Sequence, residues 1–114
     1  MKRKTPRIFK LLNEKKPLLS EMYNGAILDR DRVVFRILID SEPAIFLEAS
    51  RKRFLFESEM SLKPDVTLFF DKAETFSDML LNDANVNQLF LKGQYRSDGN
   101  IVLSQIFVYL FRRK

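Results

Sequence analysis

The chain has 114 residues and neither Cys nor His, a length that suits one domain able to bury its own core without a disulfide or structural metal. Those two gaps remove thiol nucleophiles, thiolate metal sites, the commonest general base and the commonest metal ligand, so composition favours a binding protein with no catalytic residues, metal or cofactor. The net charge of +5 is unevenly placed, with seven basic residues against Glu14 in residues 1–16, three more at Arg112, Arg113 and Lys114, and −4 over residues 17–111; that acidic body argues against nucleic acid, which asks for a basic stripe on the folded surface.

Residues 1–7 are expected to be a basic, mobile start. Such a segment is either a frayed end or one drawn weakly to anionic lipid headgroups, at about 1 kcal/mol per basic side chain. It is followed by KLLNEKK and not by the ~7–15 apolar residues of a secretory signal, and no run reaches the ~18 of a membrane span. The cytoplasm is the default location. Ile8, Leu11 and Leu12 stand at helical spacing, which predicts a short helix over 7–14 that Pro17 ends. A second turn is expected from Ser20, stopped by Asn24-Gly25.

From Arg32 the pattern turns to strands. Val33, Phe35, Ile37 and Ile39 share one face against Val34, Arg36, Leu38 and Asp40, the alternation of a half-buried strand. Asp40-Ser41-Glu42-Pro43 reads as a turn. Residues 44–49 read as a second strand, Ser50-Arg51-Lys52 as a polar break, and residues 53–57 as a third strand with Phe54 and Phe56 on one face. Consecutive short strands make a meander the simplest topology. A fourth strand places Val66, Leu68 and Phe70 opposite Thr67 and Phe69.

Asp71 then caps a helix, with Glu74 three positions on in a capping-box spacing. Ala73, Phe76, Met79, Leu80 and Asp83 share one broad face of it. Asn85, followed by Gln88, caps a second helix, and Gly93 stops it through a left-handed turn. Residues 94–97 read as a short strand, and Asp98-Gly99-Asn100 as a turn into the last helix. Between Ile101 and Phe111 the polar groups are Ser104, Gln105 and the Tyr109 hydroxyl. Ser104 and Gln105 define one narrow wet strip, so the helix is expected to be buried on two sides, by its own domain and by a second copy in a homodimer.

The run from Pro64-Asp65-Val66-Thr67-Leu68 through a helix carrying Phe76 and Leu80-Leu81, the short Gln88-Leu89-Phe90-Leu91 helix, Gly93, a small strand and Asp98-Gly99-Asn100 resembles the sterol carrier protein type two (SCP-2) family. The likeness covers roughly half the chain. It implies an α+β fold: a mostly antiparallel sheet of about five strands, with helices covering one face around an apolar tunnel. It implies one lipid-binding domain over residues 1–114 and non-catalytic carriage of a sterol, fatty acyl or isoprenoid lipid. Carried onto this chain, the tunnel lining falls to Phe76, Met79, Leu80, Phe90, Leu103, Phe107 and Leu110. The chain departs from the family pattern at Asn82-Asp83, where a glycine usually ends the helix, and its short N-terminal segment implies a truncated cover. Eleven Phe suit a cavity wall or an aromatic core equally, which leaves open a protein–protein or accessory module with the same fold and a filled core.

Overall fold

A computed structural model describes residues 8–40, 42–59, 62–82 and 84–111. Residues 1–7 and 112–114, which carry most of the charge behind the expected anionic membrane contact, Ser41 of the first turn, and Asp83 all lie outside the described residues. Two helices open the chain, α1 (Ile8–Glu14) and α2 (Lys16–Met22), followed by a 3-10 turn at Gly25–Ile27. Pro17 does not follow a helix end with a loop, as expected from its chemistry; it occupies the first turn of α2, where its missing N–H has no partner to lose. The second helix therefore starts well before Ser20. Ile8 and Leu12 of α1 and Leu19 and Met22 of α2 are buried, spaced three or four residues apart as an inward helical stripe requires.

The sheet has strands β1 (Arg32–Ile39), β2 (Ile45–Ser50), β3 (Phe54–Glu57), β4 (Val66–Phe70) and β5 (Tyr95–Gly99), in the spatial order β3-β2-β1-β4-β5. β1, β2 and β3 form the expected antiparallel meander, and β4 pairs antiparallel with β5. The central pair, β1 with β4, is parallel, so the sheet is mixed. β3 lies at the edge and β4, next in sequence, in the middle, and that return makes the two central strands run the same way. Alternation fixes the inward face: Val33, Phe35, Ile37 and Ile39 meet Ile45, Leu47 and Ala49 on one side and Val66, Leu68 and Phe70 on the other, all buried. Register sets Phe35 beside Leu47 and Ile37 beside Leu68.

The entry to β4 explains the Pro64-Asp65 pair. Asp65 Oδ2 accepts from the Val34 N–H at 2.8 Å while the Asp65 N–H donates to the Val34 carbonyl at 2.8 Å. Without that carboxylate a backbone donor beside a buried side chain would lose its acceptor, at a cost of roughly 1–3 kcal/mol.

Helices α3 (Ala73–Leu81), α4 (Val86–Leu91) and α5 (Ile101–Leu110) cover the inward face. Asp71 is not the N-cap of α3: Lys72 holds that position without a side-chain bond, and the Asp71 carboxylate accepts from the Thr75 hydroxyl. Thr75 is buried, and its hydroxyl takes the acceptor that a cap would have given to a backbone N–H. The Asn85 cap follows the sequence, whereas Asn100, read with Asp98 and Gly99 as a turn, caps α5 directly after a strand that runs to Gly99. Asn85 Oδ1 accepts from the Gln88 N–H at 3.2 Å, and Asn100 Oδ1 accepts from Val102 and Leu103 at 2.9 and 3.2 Å. Gly93 has φ +73°, the left-handed conformation expected where α4 stops.

Leu103, Phe107 and Leu110 turn α5 onto the sheet, with the Phe107 ring centroid 5.2 Å from that of Phe35. Ser104, expected on the wet strip, is only 4 % exposed, and its hydroxyl donates to the Ile101 carbonyl at 2.8 Å. That local bond to its own helix backbone is what lets a hydroxyl leave water at small cost. After α5, Phe111 bridges to Tyr23, and the Asn24 N–H donates to the Leu110 carbonyl at 2.7 Å. The Tyr23 hydroxyl donates to the Ser50 carbonyl. Burial pushes this phenol up to about 12, against the lowering effect of that bond, so it stays a neutral donor. Its ring packs with Phe54 and Phe111 at centroid distances of 4.8 and 5.2 Å, tying the ends of α2 and α5 to the β3 edge. Among the described residues no helix is long and apolar enough to cross a membrane.

Candidate functional site

Tyr95 sits opposite Phe70 and Ser97 opposite Leu68, so alternation along β5 turns both toward the helices. α4 precedes this strand and α5 follows it, and the two helices stand apart above it. Between them lies an open groove of about 670 Å³, within the range of roughly 300–1,000 Å³ typical of small-molecule sites. Asn85, Val86, Asn87 and Phe90 form the α4 wall, and Tyr95 and Ser97 form the floor. The α5 wall is a stripe of Ile101, Ser104, Gln105 and Val108, joined by Tyr109. Spacing of three and four residues places the first four on one helical face, beside the face that carries Leu103, Phe107 and Leu110 into the core.

The described lining supplies aromatic and aliphatic surface interrupted by amides and hydroxyls. Burial pushes the Tyr95 phenol up, against the lowering effect of its hydrogen bond with the Ser97 side chain, so the floor presents a neutral hydroxyl. Such an arrangement can bury an apolar body and orient one polar group. A second cleft, of about 390 Å³, lies at the far ends of β1 and β4, where Asp40, Asp71 and Arg96 surround Leu38 and Phe69. It offers mostly charge and strand ends, and little apolar depth.

Of the seven side chains that the family resemblance assigned to a tunnel, Phe90 lines the groove and is 59 % exposed. The others pack in the core: Leu103, Phe107 and Leu110 beneath α5, and Phe76, Met79 and Leu80 on the inner face of α3, with the Phe76 ring 5.2 Å from Phe70. Tyr95, Ser97 and Val108 carry no site role in the sequence analysis, whereas Ser104 and Gln105 are the polar strip that the sequence marks on α5. Their signal is the stripe at 101, 104, 105 and 108 of α5 and the alternation of β5, a five-residue polar strand too short for that alternation to stand out.

A family model described as the SCP-2 sterol transfer family matches residues 10–112. No curated protein sequence is a significant match. Among solved structures, the sterol carrier protein domain 2 of Helicoverpa armigera superposes with a TM-score of 0.65 at 19 % identity, covering 100 % of this chain and 98 % of that one. Palmitated SCP2L2 from Aedes aegypti gives 0.58 at 16 % identity, covering 96 % of each chain. The stereoselective inverting sec-alkylsulfatase Pisa1 from Pseudomonas sp. gives 0.68 at 13 % identity over 84 % of this chain, which spans only 15 % of the sulfatase. At these identities the structural matches speak for a common fold.

Proposed function

Because this chain belongs to the SCP-2 sterol transfer family, we propose that it binds and carries a hydrophobic lipid (sterol, fatty acyl or isoprenoid) without converting it, in the groove between α4 and α5. The observation that carries this reading is the groove itself, open to solvent yet walled by Val86, Phe90, Ile101 and Val108. Each methylene moved from water into such a wall contributes about 0.8 kcal/mol. Ten would supply about 8 kcal/mol before ordering costs, close to what micromolar affinity requires. Burial therefore supplies the bulk of the affinity. The palmitated Aedes neighbour lends the acyl option support, and the sulfatase shows that the fold also occurs inside a larger enzyme.

Displacement of a fluorescent fatty acid or sterol should show saturable binding at micromolar concentration. Phe90→Ser should weaken it by roughly 10- to 100-fold, the worth of one large apolar side chain. Because Phe90 is exposed, the variant should melt like the wild type. Wild-type protein that takes up neither probe would refute the proposal. The core position of Phe76, Leu103 and Phe107 favours one rival, an interaction module with a filled core, and such a module would fail this assay.

We also propose that the outer flank of α5 holds a second copy. Val102 and Tyr109, seven positions apart on one side of the helix, are 56 and 55 % exposed, with Tyr109 at the edge where this flank meets the groove, and a self-complementary contact is the commonest way to cover such a surface. Sedimentation should find a dimer at micromolar concentration, and Val102→Arg a folded monomer. A monomeric wild type would rule this contact out.

A further inference from the structure

We propose that the groove selects lipids whose polar head is uncharged, such as a long-chain alcohol or a ring hydroxyl, over lipids that end in a carboxylate. This rests on the reading of the groove as the lipid site. The polar residues of its lining are Asn85, Asn87, Ser97, Ser104, Gln105 and two tyrosines, and none of the described lining residues is a cation. Amides and hydroxyls can both donate to and accept from a neutral head. A carboxylate brought against them loses part of its hydration with no opposite charge to replace it.

The nearest charged residues in sequence do not supply one. Arg96 and Asp98 alternate with Tyr95 and Ser97 along β5 and so project from the other face of the sheet, opposite Phe69 and Thr67. The Arg96 guanidinium lies over the Phe69 ring there, 5.1 Å from its centroid. Lys92 follows α4 as its exposed C-cap, outside the described lining.

Helix starts are the other source of anion affinity, and both helices begin at this groove. The cap side chains already engage part of their free N–H groups. Asn85 Oδ1 takes the Gln88 N–H, and Asn100 Oδ1 takes those of Val102 and Leu103. The caps are neutral amides whose oxygens face the helix backbone, and these bonds take three of the first-turn donors that could have held an anion.

The test is competition between dodecanol and dodecanoate at pH 8 for the same neutral fluorescent lipid, with the chain length held equal. The wild type should bind dodecanol at least about tenfold more tightly. Gln105 is exposed on the α5 wall, so Gln105→Arg should fold normally and shift the ratio of the two affinities toward the carboxylate. Dodecanoate binding as tightly as dodecanol in the wild type would overturn the head selection while leaving the lipid site in place. An unchanged ratio in Gln105→Arg would overturn it as well. Saturable binding of neither compound would overturn the carrier reading, and this inference with it.

Discussion

Replacing Phe107 by Ala should lower the unfolding free energy by about 3–5 kcal/mol, the usual loss when a fully buried ring is deleted from a close-packed core. Phe107 is 2 % exposed and its ring faces Phe35 of the central strand β1, with the centroids 5.2 Å apart. Leu103 and Leu110 flank it on the same face of α5 and are equally buried. Close packing leaves little room for these neighbours to collapse into the space of a missing ring. Urea unfolding followed by circular dichroism measures the effect. Lipid affinity of the folded fraction should change little, because Phe107 points away from the groove. A variant of near wild-type stability that loses lipid binding would reverse both statements, and would return Phe107 to the wall of a cavity beneath the helix.

Gly25→Ala should lower the melting temperature by roughly 10 °C, corresponding to about 3 kcal/mol in a domain of this size. A Cβ at this buried position would lie 2.4 Å from the Ser50 carbonyl oxygen and 2.5 Å from that of Arg51. Both obstacles are backbone, and that backbone is held from several sides. The Ser50 N–H donates to the Arg53 carbonyl at 2.8 Å, the Ser50 carbonyl accepts from the Tyr23 hydroxyl, and Arg51 Nε donates to the Leu28 carbonyl at 3.2 Å. Moving the β2–β3 turn away would strain these contacts, and moving Gly25 would disturb the neighbouring Asn24 N–H bond to Leu110. Differential scanning calorimetry of the variant decides the matter. An unchanged melting temperature would mean that this backbone contact does not form.

The elements that can be read from the residues are those whose causes lie within about four positions. Alternation along β1, β2 and β4 decides which side chains face inward, because successive strand residues point to opposite faces. Asn85 with Gln88 marks the start of α4, and Gly93 its end, through bonds and dihedrals confined to one turn. The family-like succession from Pro64 to Asn100 is a chain of such local signals, and it carried the sheet and helix content with it.

Other features depend on partners far away along the chain. Gly25 reads locally as a helix stop, but its lack of a side chain matters for Ser50 and Arg51. The parallel pairing of β1 with β4 places Phe35 beside Val66, and no periodicity records the direction in which a returning strand enters a sheet. Pro17 is compatible with either a break or a first helical turn, and Asp71 with either a backbone cap or the Thr75 hydroxyl. Only packing chose between them.

The groove shows the same division most sharply. Residues 101–111 reveal a helix with apolar side chains almost all round, and the aromatic composition reveals abundant ring surface. Whether a given ring walls a cavity or fills a core is not a property of the ring. It is set by how far α4 and α5 stand from each other across β5, and that spacing sends Phe107 to the core and leaves Val108, one residue later and about 100° around the helix, on the wall.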